Sequence, residues 1–267
     1  MKKIWSFFRM QFISGLQYRL AAWAGISTQF AWGFLTILLY RAFYKADAAA
    51  FPMTFSQFSC YIWLQQAFLA LFMGWYYDPA IMDSIANGNV SYELVRPMNL
   101  YAMWYTKNVA VRVARVVLRC LPILLVAAFL PAPYGMTLPP DFAQGAGFLL
   151  SMVLGLFVVV SFSMFVYIII FYTLTPSGVR TIAISVTEIL TGALIPLPFM
   201  PETFRKILEF TPFAFMQDLP FRIYSGHVAG NAMIEALLMQ FAWALILTLL
   251  GYLWMRRALK RVVVQGG

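Results

Sequence analysis

The sequence predicts an all-α integral membrane protein, and its composition, its apolar runs and the placing of its charges support this. Of the 267 residues, 62% are hydrophobic and only 11% are charged, whereas soluble domains carry about 25% charged residues. A soluble fold of this length cannot bury so much apolar surface. The composition therefore excludes a water-soluble protein, a disordered chain and a nucleic-acid-binding domain, despite the net charge of +9.

Uninterrupted apolar runs set the number of predicted helices. A spanning helix needs about 20 mostly apolar residues. Four charge-free runs meet that length: residues 20–40, 58–77, 146–172 and 236–255. Two weaker runs are residues 110–130 and residues 181–201, the second of which contains Glu188 and ends among prolines. The sequence therefore predicts six transmembrane helices.

Four segments outside these spans have structure of their own. Residues 1–19 place apolar side chains at every fourth position, which is typical of an amphipathic helix lying in the membrane interface. Residues 78–102 form a polar connection, and residues 173–180 form a short turn. Residues 196–230 are rich in proline and aromatic side chains and precede the last span. We expect this last segment to be external and re-entrant.

The basic residues predict the orientation of the chain. Six spans place both termini on one side, and 14 of the 19 Lys and Arg residues then lie on that side. Short cytoplasmic loops carry the excess of Lys and Arg in membrane proteins. The prediction is therefore a multi-pass protein of the bacterial cytoplasmic (inner) membrane with both termini in the cytoplasm.

Motifs for catalysis and for metal binding are missing from the sequence. It contains no phosphate-binding loop of the G-x-x-x-x-G-K-[ST] type, no H-E-x-x-H motif and no G-x-S-x-G motif. The single histidine, His227, is interpreted as a solvated loop residue, and the two cysteines lie in apolar runs. We therefore expect no catalytic residue, no metal site and no cofactor in this chain.

Two groups of residues allow more than one interpretation. The 78–102 connection contains a short helix with Met82 and Ile85 on its apolar face, followed by a turn at Asn87 to Asn89. It is either an ordinary interfacial loop or a docking element for a cytoplasmic partner. Three arginines of the third span are interpreted as reaching the phosphates of the inner leaflet rather than as a vestibule for an anionic substrate: Arg112, Arg115 and Arg119.

Polar residues inside the predicted spans are the remaining candidates. Glu188 lies near mid-membrane, where a charge costs about 2.5–3.5 kcal/mol on insertion scales. It is interpreted as a substrate contact, a proton site, an interface residue or a buried carboxyl satisfied by a neighbouring hydroxyl. Gln29, Gln65 and Gln66 place amides on the first two spans, where amides commonly bond helix to helix and less often line a polar path.

Two stretches of the sequence resemble the ABC-2 type transporter permease family. Gly88-Asn89, followed by residues 94–99 (Leu-Val-Arg-Pro-Met-Asn), is similar to a G…LLRPLN element of a bacterial subfamily. Residues 192–201 (Gly-Ala-Leu-Ile-Pro-Leu-Pro-Phe-Met-Pro), with Thr211-Pro212-Phe213 and the stretch from Leu219 to Gly226, resemble the region before its last helix. The resemblance implies a single ABC-2 type transmembrane domain over residues 1–267.

The resemblance also implies roles for particular residues. The 78–102 loop would hold the coupling helix that docks on a separate ATP-binding subunit, with these residues as candidates: Met82, Ile85, Asn87, Gly88, Asn89, Tyr92, Glu93, Arg96 and Pro97. Helices one, two and five would line the substrate path or the dimer interface, with Gln29, Gln65, Gln66 and Glu188 as candidates. Pro196, Pro198 and Pro201 would form the external gate.

The expected function is that of the membrane subunit of a bacterial ABC exporter for a hydrophobic or amphipathic substrate such as a drug, a peptide or a lipid. Two ATP-binding subunits, which carry the ATP and magnesium, and a second permease chain, identical or paralogous, would complete the assembly. Membrane lipids are expected partners, and nucleic acid is not. One alternative is an ATP-independent channel or a secondary carrier that uses Glu188 as its proton or ion site. An intramembrane enzyme is the third hypothesis, disfavoured by the missing catalytic motifs.

Overall fold

The computed structural model describes residues 2–17 and 19–261, without the side chains of residues 19–21. This part of the chain is helical and contains no β-strand. Its helices are α1 Lys2–Gly15, α2 Arg19–Ala46, α3 Phe55–Phe72, α4 Pro79–Ala86, α5 Val90–Leu94, α6 Leu100–Phe129, α7 Phe142–Thr173, α8 Pro176–Leu190, α9 Glu202–Glu209, α10 Asp218–Tyr224 and α11 Gly230–Leu259. A helix is thus present where one is expected over residues 1–19, and its place in the membrane interface stays a prediction. Met1 and Tyr18 lie outside the described residues.

Six of these helices, α2, α3, α6, α7, α8 and α11, fall where the six spans are predicted. Three helical stretches of the described chain are long and apolar enough to cross a membrane by length and composition: Ala22–Ala46, Phe142–Thr173 and Gly230–Leu259. The helix content and the apolarity of the described chain are therefore those of a membrane protein. The six-span topology stays a prediction.

Helix α8 is shorter than the predicted span over residues 181–201. Its 15 residues cover only about 22 Å at 1.5 Å per residue. The chain leaves the helical path at Gly192, whose φ of +77° suits glycine, and the prolines that follow keep it irregular. At the other end, α7 and α8 are separated by only two residues, so the turn predicted over residues 173–180 is much tighter than expected.

Helix α3 is the centre of the bundle, and most of its side chains are buried. A capping box opens the helix, because the Thr54 side chain accepts from the Gln57 backbone while the Gln57 side chain accepts from the Thr54 backbone. Trp63 is fully buried and donates a 2.7 Å hydrogen bond to the carbonyl of Tyr134. A Cβ on Gly33 would meet that indole ring at 2.8 Å, so α2 and α3 pack closely at this point.

Helix α1 lies on the surface of the bundle along the N-terminal half of α6. It buries none of its side chains, and the rings of Trp5, Phe8 and Phe12 stack in a row along it. A Cβ on Gly15 would come within 2.7 Å of the Ala114 side chain, so the end of α1 approaches α6 closely.

The segment between α8 and α11 folds back into the bundle. It contains α9, α10 and two 3-10 helices, Leu197–Phe199 and Pro212–Phe215. The ring of Phe213 lies 5.5 Å from that of Phe162, about 30 Å along α7 from its first residue, Phe142. Gln240, buried on α11, donates to the carbonyl of Phe215 at 2.9 Å. Protein thus covers the irregular backbone of this segment, as the predicted re-entrant segment would require. That it re-enters a membrane stays a prediction.

Candidate functional site

The 78–102 connection is a pair of short helices, α4 and α5, joined by a tight turn. Asp78 caps α4 by accepting a 3.0 Å hydrogen bond from the backbone of Ala80, and Pro79 occupies the first turn, where its missing N–H costs nothing. Gly88 closes the turn with a φ of +72° and has open space around it. The connection is therefore an ordered element that projects a turn from the bundle.

Met82 and Ile85 are buried rather than exposed, which corrects their assignment to a docking face. Each side chain is 4% exposed and packs in a cluster with Tyr77, Trp104 and Tyr167. The apolar face of α4 packs against α7 and α8. A helix of only eight residues depends on such packing for its stability. These two side chains seat the loop on the bundle and are not available to a partner.

The surface that the loop offers to a partner is its opposite face and its tip. Asp83, Asn87, Gly88 and Asn89 are exposed, and α5 adds Tyr92, which is 74% exposed. Val95 follows with 83% exposed. We call this set of residues the docking face: Asp83, Asn87, Gly88, Asn89, Tyr92 and Val95.

The other candidates from the loop have different surroundings. Glu93 is half-buried and accepts a 2.5 Å hydrogen bond from the indole nitrogen of Trp104, so it fastens α5 to α6. Arg96 and Pro97 are exposed, but they line a cleft shared with Lys2 and Lys3 of α1. Of the nine sequence candidates, four thus belong to the docking face.

Two polar contacts join the start of α4 to the long helices. Lys107 of α6 forms an ion pair of 2.7 Å with the Asp78 carboxylate. The backbone N–H of Asp78 donates to the Tyr167 hydroxyl of α7 at 2.8 Å. That hydroxyl also accepts from the Asn108 side chain of α6 at 3.2 Å. The start of α4 is therefore fixed to both α6 and α7.

Arg112 is fully buried and does not extend to the inner leaflet, which corrects the interpretation from sequence. Its guanidinium donates to the carbonyls of Leu71 at 3.1 Å, Met73 at 3.0 Å and Tyr76 at 3.2 Å. The last carbonyls of a helix have no partner within the helix and carry its partial negative charge. The end of α3 therefore draws the cation inward, and the neighbouring Arg115 lies 3.9 Å above the ring of Tyr76.

Arg112 forms no ion pair among the described residues, so backbone dipoles stabilise its charge. Its other hydrogen bonds are to Asn108 at 3.4 Å and to Ser163 of α7 at 3.3 Å. Through Asn108 it belongs to the same network as Tyr167 and Asp78. We call Asp78, Lys107, Asn108, Arg112 and Tyr167 the anchor network, because together they tie the loop to α3, α6 and α7.

A comparison with protein families identifies the chain. Residues 30–266 match a family model described as ABC-2 family transporter protein. The chain belongs to the ABC-2 transporter family. The match covers every helix from α3 to α11, and it makes the chain a permease component of an ABC transporter, embedded in a membrane. No match was found among curated proteins.

The amide residues predicted for the path of this ABC-2 permease are buried within the chain. Gln65 of α3 donates a 3.1 Å hydrogen bond to the carbonyl of Ala193, just after α8. Gln29 of α2 and Gln66 of α3 are also buried, and Oε1 of Gln29 has no hydrogen-bond partner in the described residues. Glu188 is half-buried on α8 and forms no hydrogen bond or ion pair within the described chain.

The re-entrant segment of the permease is held by a buried acid that the sequence analysis did not single out. Asp218 is completely buried and accepts from the Tyr61 hydroxyl at 2.8 Å and from the Leu197 backbone at 3.4 Å. It also pairs with Arg222 at 3.3 Å. Pro196 and Pro198 of the predicted gate are buried beside this acid, whereas Pro201 is exposed. Complete burial and a hydrogen bond from an aromatic side chain on α3 distinguish Asp218 from an ordinary loop acid.

His227 follows α10 and is half-buried, not solvated as the sequence suggested. Burial, together with the charges of Arg222 and Arg205, lowers the pKa of His227 to about 4. The imidazole is therefore neutral at physiological pH. No cluster of three or more His, Cys, Asp or Glu residues that could hold a metal ion occurs in the described part of the permease.

Proposed function

We propose that this permease is the transmembrane subunit of an ATP-driven exporter in the bacterial cytoplasmic membrane. It moves a hydrophobic or amphipathic substrate out of the cytoplasm, and a separate ATP-binding subunit docks on the docking face and hydrolyses ATP with magnesium. Two permease chains, identical or paralogous, and two ATPase subunits form the assembly. Family membership favours this function over an ATP-independent carrier.

The observation that carries the proposal is a rigid connection between an exposed loop tip and the long helices. The docking face carries one large exposed aromatic, Tyr92, among polar groups, and tyrosine is enriched at energetically dominant interface positions. Behind it, the buried Met82 and Ile85 and the anchor network leave little freedom for the loop to bend. Force applied at the tip therefore reaches the bundle.

The proposed coupling path leads from the cytoplasm to the outer half of the chain. Asp78 acts on α6 through Lys107 and on α7 through Tyr167. Arg112 transmits the same displacement to the end of α3. Further along α3, Gln65 contacts the turn after α8, and Tyr61 contacts the re-entrant segment. Movement of packed helices as rigid bodies is a recognised mode of switching, and here it would open the proposed external gate.

The charge distribution supports the proposed orientation, with both termini in the cytoplasm. The docking face and the anchor network lie on the side that holds 14 of the 19 basic residues. The re-entrant segment lies on the opposite side, where the proposed external gate of Pro196, Pro198 and Pro201 belongs. Outward transport would require the gate to open when ATP binding draws the two docking faces together.

The experiment that tests the proposal is co-purification of the permease with the ATP-binding protein encoded beside it. The double variant Tyr92→Asp/Val95→Asp should lose the ATPase and ATP-dependent export, while its thermal stability stays unchanged because both side chains are exposed. A matched control is Phe210→Asp, which alters a 71% exposed aromatic in the external segment. ATPase retention by the double variant would refute the docking face, and export that persists without any ATPase would refute the exporter.

The direction of transport is tested in inverted membrane vesicles, where the docking face is on the outside. Added ATP should drive a fluorescent amphipathic substrate into the lumen. Right-side-out vesicles should show no accumulation from externally added ATP. Accumulation only in right-side-out vesicles loaded with ATP would mean import and would contradict the proposal.

A further inference from the structure

An apolar groove lies between the first turns of α1, the N-terminal half of α6 and the middle of α7. Its volume is about 340 Å³. The lining side chains are almost entirely apolar or aromatic: Ile4, Trp5, Phe8, Tyr105, Thr106, Val109 and Phe157. Trp5 is 67% exposed at its rim. The groove is open to the outside of the chain and contains no charged group.

Two basic clefts adjoin this groove on the cytoplasmic side. Their volumes are about 490 Å³ and about 580 Å³, and both are lined by Lys2, Lys3, Pro97 and Met98. The first cleft shares Ile4 with the apolar groove, so the two adjoin at this side chain. The second adds Arg96. Three cations and no carboxylate line this region among the described residues.

Two helices also begin at these clefts. Helix α1 begins at Lys2, and α6 begins at Leu100, where the Asn99 side chain accepts a 3.1 Å hydrogen bond from the backbone of Ala102. The first turns of helices carry N–H groups without a partner in the helix and a partial positive charge. Both helix ends therefore add to the positive potential of Lys2, Lys3 and Arg96.

We propose that the groove and the clefts together bind one anionic glycerophospholipid of the inner leaflet. Its phosphate would lie among Lys2, Lys3 and Arg96, and an acyl chain would lie against Ile4, Phe8 and the helices behind them. Charge complementarity selects an acidic headgroup, and the adjoining apolar groove selects a lipid over a soluble anion. The site lies on the side where anionic lipids attract basic segments.

Lipid binding is tested on the purified permease alone, so that the result does not depend on the ATPase or on export. Binding of phosphatidylglycerol and phosphatidylcholine with identical chains is measured by native mass spectrometry. The variant Lys2→Gln/Lys3→Gln/Arg96→Gln should bind phosphatidylglycerol about tenfold or more weakly, because each cation near a membrane surface contributes appreciably. Its binding of phosphatidylcholine should not change.

A matched control removes three cations from the cytoplasmic end of α11, Arg256→Gln/Arg257→Gln/Lys260→Gln, and should leave the preference for phosphatidylglycerol unchanged. An equal loss in the control would mean that only general electrostatic attraction acts, and it would overturn the site. Retention of the preference in the Lys2, Lys3 and Arg96 variant would overturn it as well.

The apolar part of the site has its own test. Val109→Trp fills the groove and should weaken binding of phosphatidylglycerol several-fold, while soluble glycerophosphoglycerol should bind far more weakly than the lipid in every form. Ile4→Ser/Trp5→Ser is a second variant that changes only the exposed surface of α1 and should act in the same direction. Full binding by both variants, or equally tight binding of the soluble headgroup, would refute a lipid site.

Discussion

The Tyr61 hydroxyl of α3 donates a 2.8 Å hydrogen bond to Oδ1 of Asp218 on α10, and both side chains are fully buried. The bond joins the central helix to the re-entrant segment at the proposed external gate. The same Oδ1 accepts from the backbone of Leu197, between Pro196 and Pro198. Asp218 thus holds together the parts that would have to separate if the gate opens.

The variant Tyr61→Phe is expected to destabilise the permease by about 1–3 kcal/mol, because a buried carboxylate loses a donor. Thermal unfolding in detergent measures this. Tyr44→Phe is the control, since the Tyr44 hydroxyl lies near the same end of the bundle and forms no hydrogen bond in the described chain. Equal stability of the two variants would contradict a role for the Tyr61 contact.

The variant Arg112→Met is expected to destabilise the protein by several kcal/mol, because two buried carbonyls and one partly buried carbonyl lose their donor, and each buried loss costs about 1–3 kcal/mol. Arg112→Lys should fold better but remain impaired, since an ammonium lacks the planar fork that reaches three acceptors. Unfolding midpoints and ATPase stimulation by substrate measure both effects. Arg257→Met, which alters an exposed arginine of α11, should have little effect. A normal Arg112→Lys variant would contradict the need for the guanidinium fork, and a normal Arg112→Met variant would show that the anchor network is dispensable.

Met82→Asp is expected to lower stability by about 2 kcal/mol or more, because it buries a carboxylate without a partner. Met82→Leu keeps the volume and should cost less than about 1.5 kcal/mol. Tyr92→Asp, on the docking face, should leave the unfolding midpoint unchanged and weaken ATPase binding. Circular dichroism melts and co-purification separate these outcomes. A fully stable Met82→Asp variant would mean that α4 does not use this face to pack.

Gly155→Ala is expected to destabilise the permease by about 1–3 kcal/mol. Its Cβ would lie 2.7 Å from the carbonyl oxygen of Met216 and 3.2 Å from the ring of Phe72, so the re-entrant segment would have to move. Gly145→Ala on the same helix is the control, because its Cβ would make only an ordinary contact of 3.6 Å with Pro139. That control should be neutral or slightly stabilising. Denaturant unfolding compares the two, and equal values would contradict the close packing at Gly155.

Glu188→Gln is expected to reduce export several-fold without changing thermal stability. A carboxylate within a predicted span is costly. Glu188 forms no hydrogen bond or ion pair within the described chain, so no contact of this chain offsets that cost. Glu235→Gln alters an exposed acid at the outer end of α11 and should transport normally. Normal export by a well-expressed Glu188→Gln variant would remove this residue from the proposed path.

The apolar runs of the sequence predicted the positions of the long helices, because each of these helices is long enough to appear in the sequence as a distinct apolar run. The predicted end of α8 was wrong. The apolar run continues past Gly192, but the positive φ of this glycine and the prolines after it turn the backbone away from the helical path. The faces of α4 could not be assigned from sequence either. Periodicity shows that Met82 and Ile85 share a face, but not whether that face meets this chain or a partner.

The anchor network and the Tyr61–Asp218 contact were missed for a related reason. The carbonyls that Arg112 contacts lie 36–41 residues away in the sequence, and Tyr61 and Asp218 are 157 residues apart. An arginine near the end of an apolar run has the same local pattern whether it reaches lipid phosphates or the end of another helix. Only the packing of α3 against α6 decides between the two.

The burial of Arg112 has a consequence for how the chain is made. An arginine entering the membrane alone costs about 2.5–3.5 kcal/mol on insertion scales. Its acceptors, from Leu71 to Tyr76, precede α6 in the chain and are therefore synthesised first. Helix α6 can thus leave the translocon with its charge already matched, provided that α3 has stayed beside the exit. Helices α3 and α6 are accordingly expected to enter the bilayer as a pair during biogenesis.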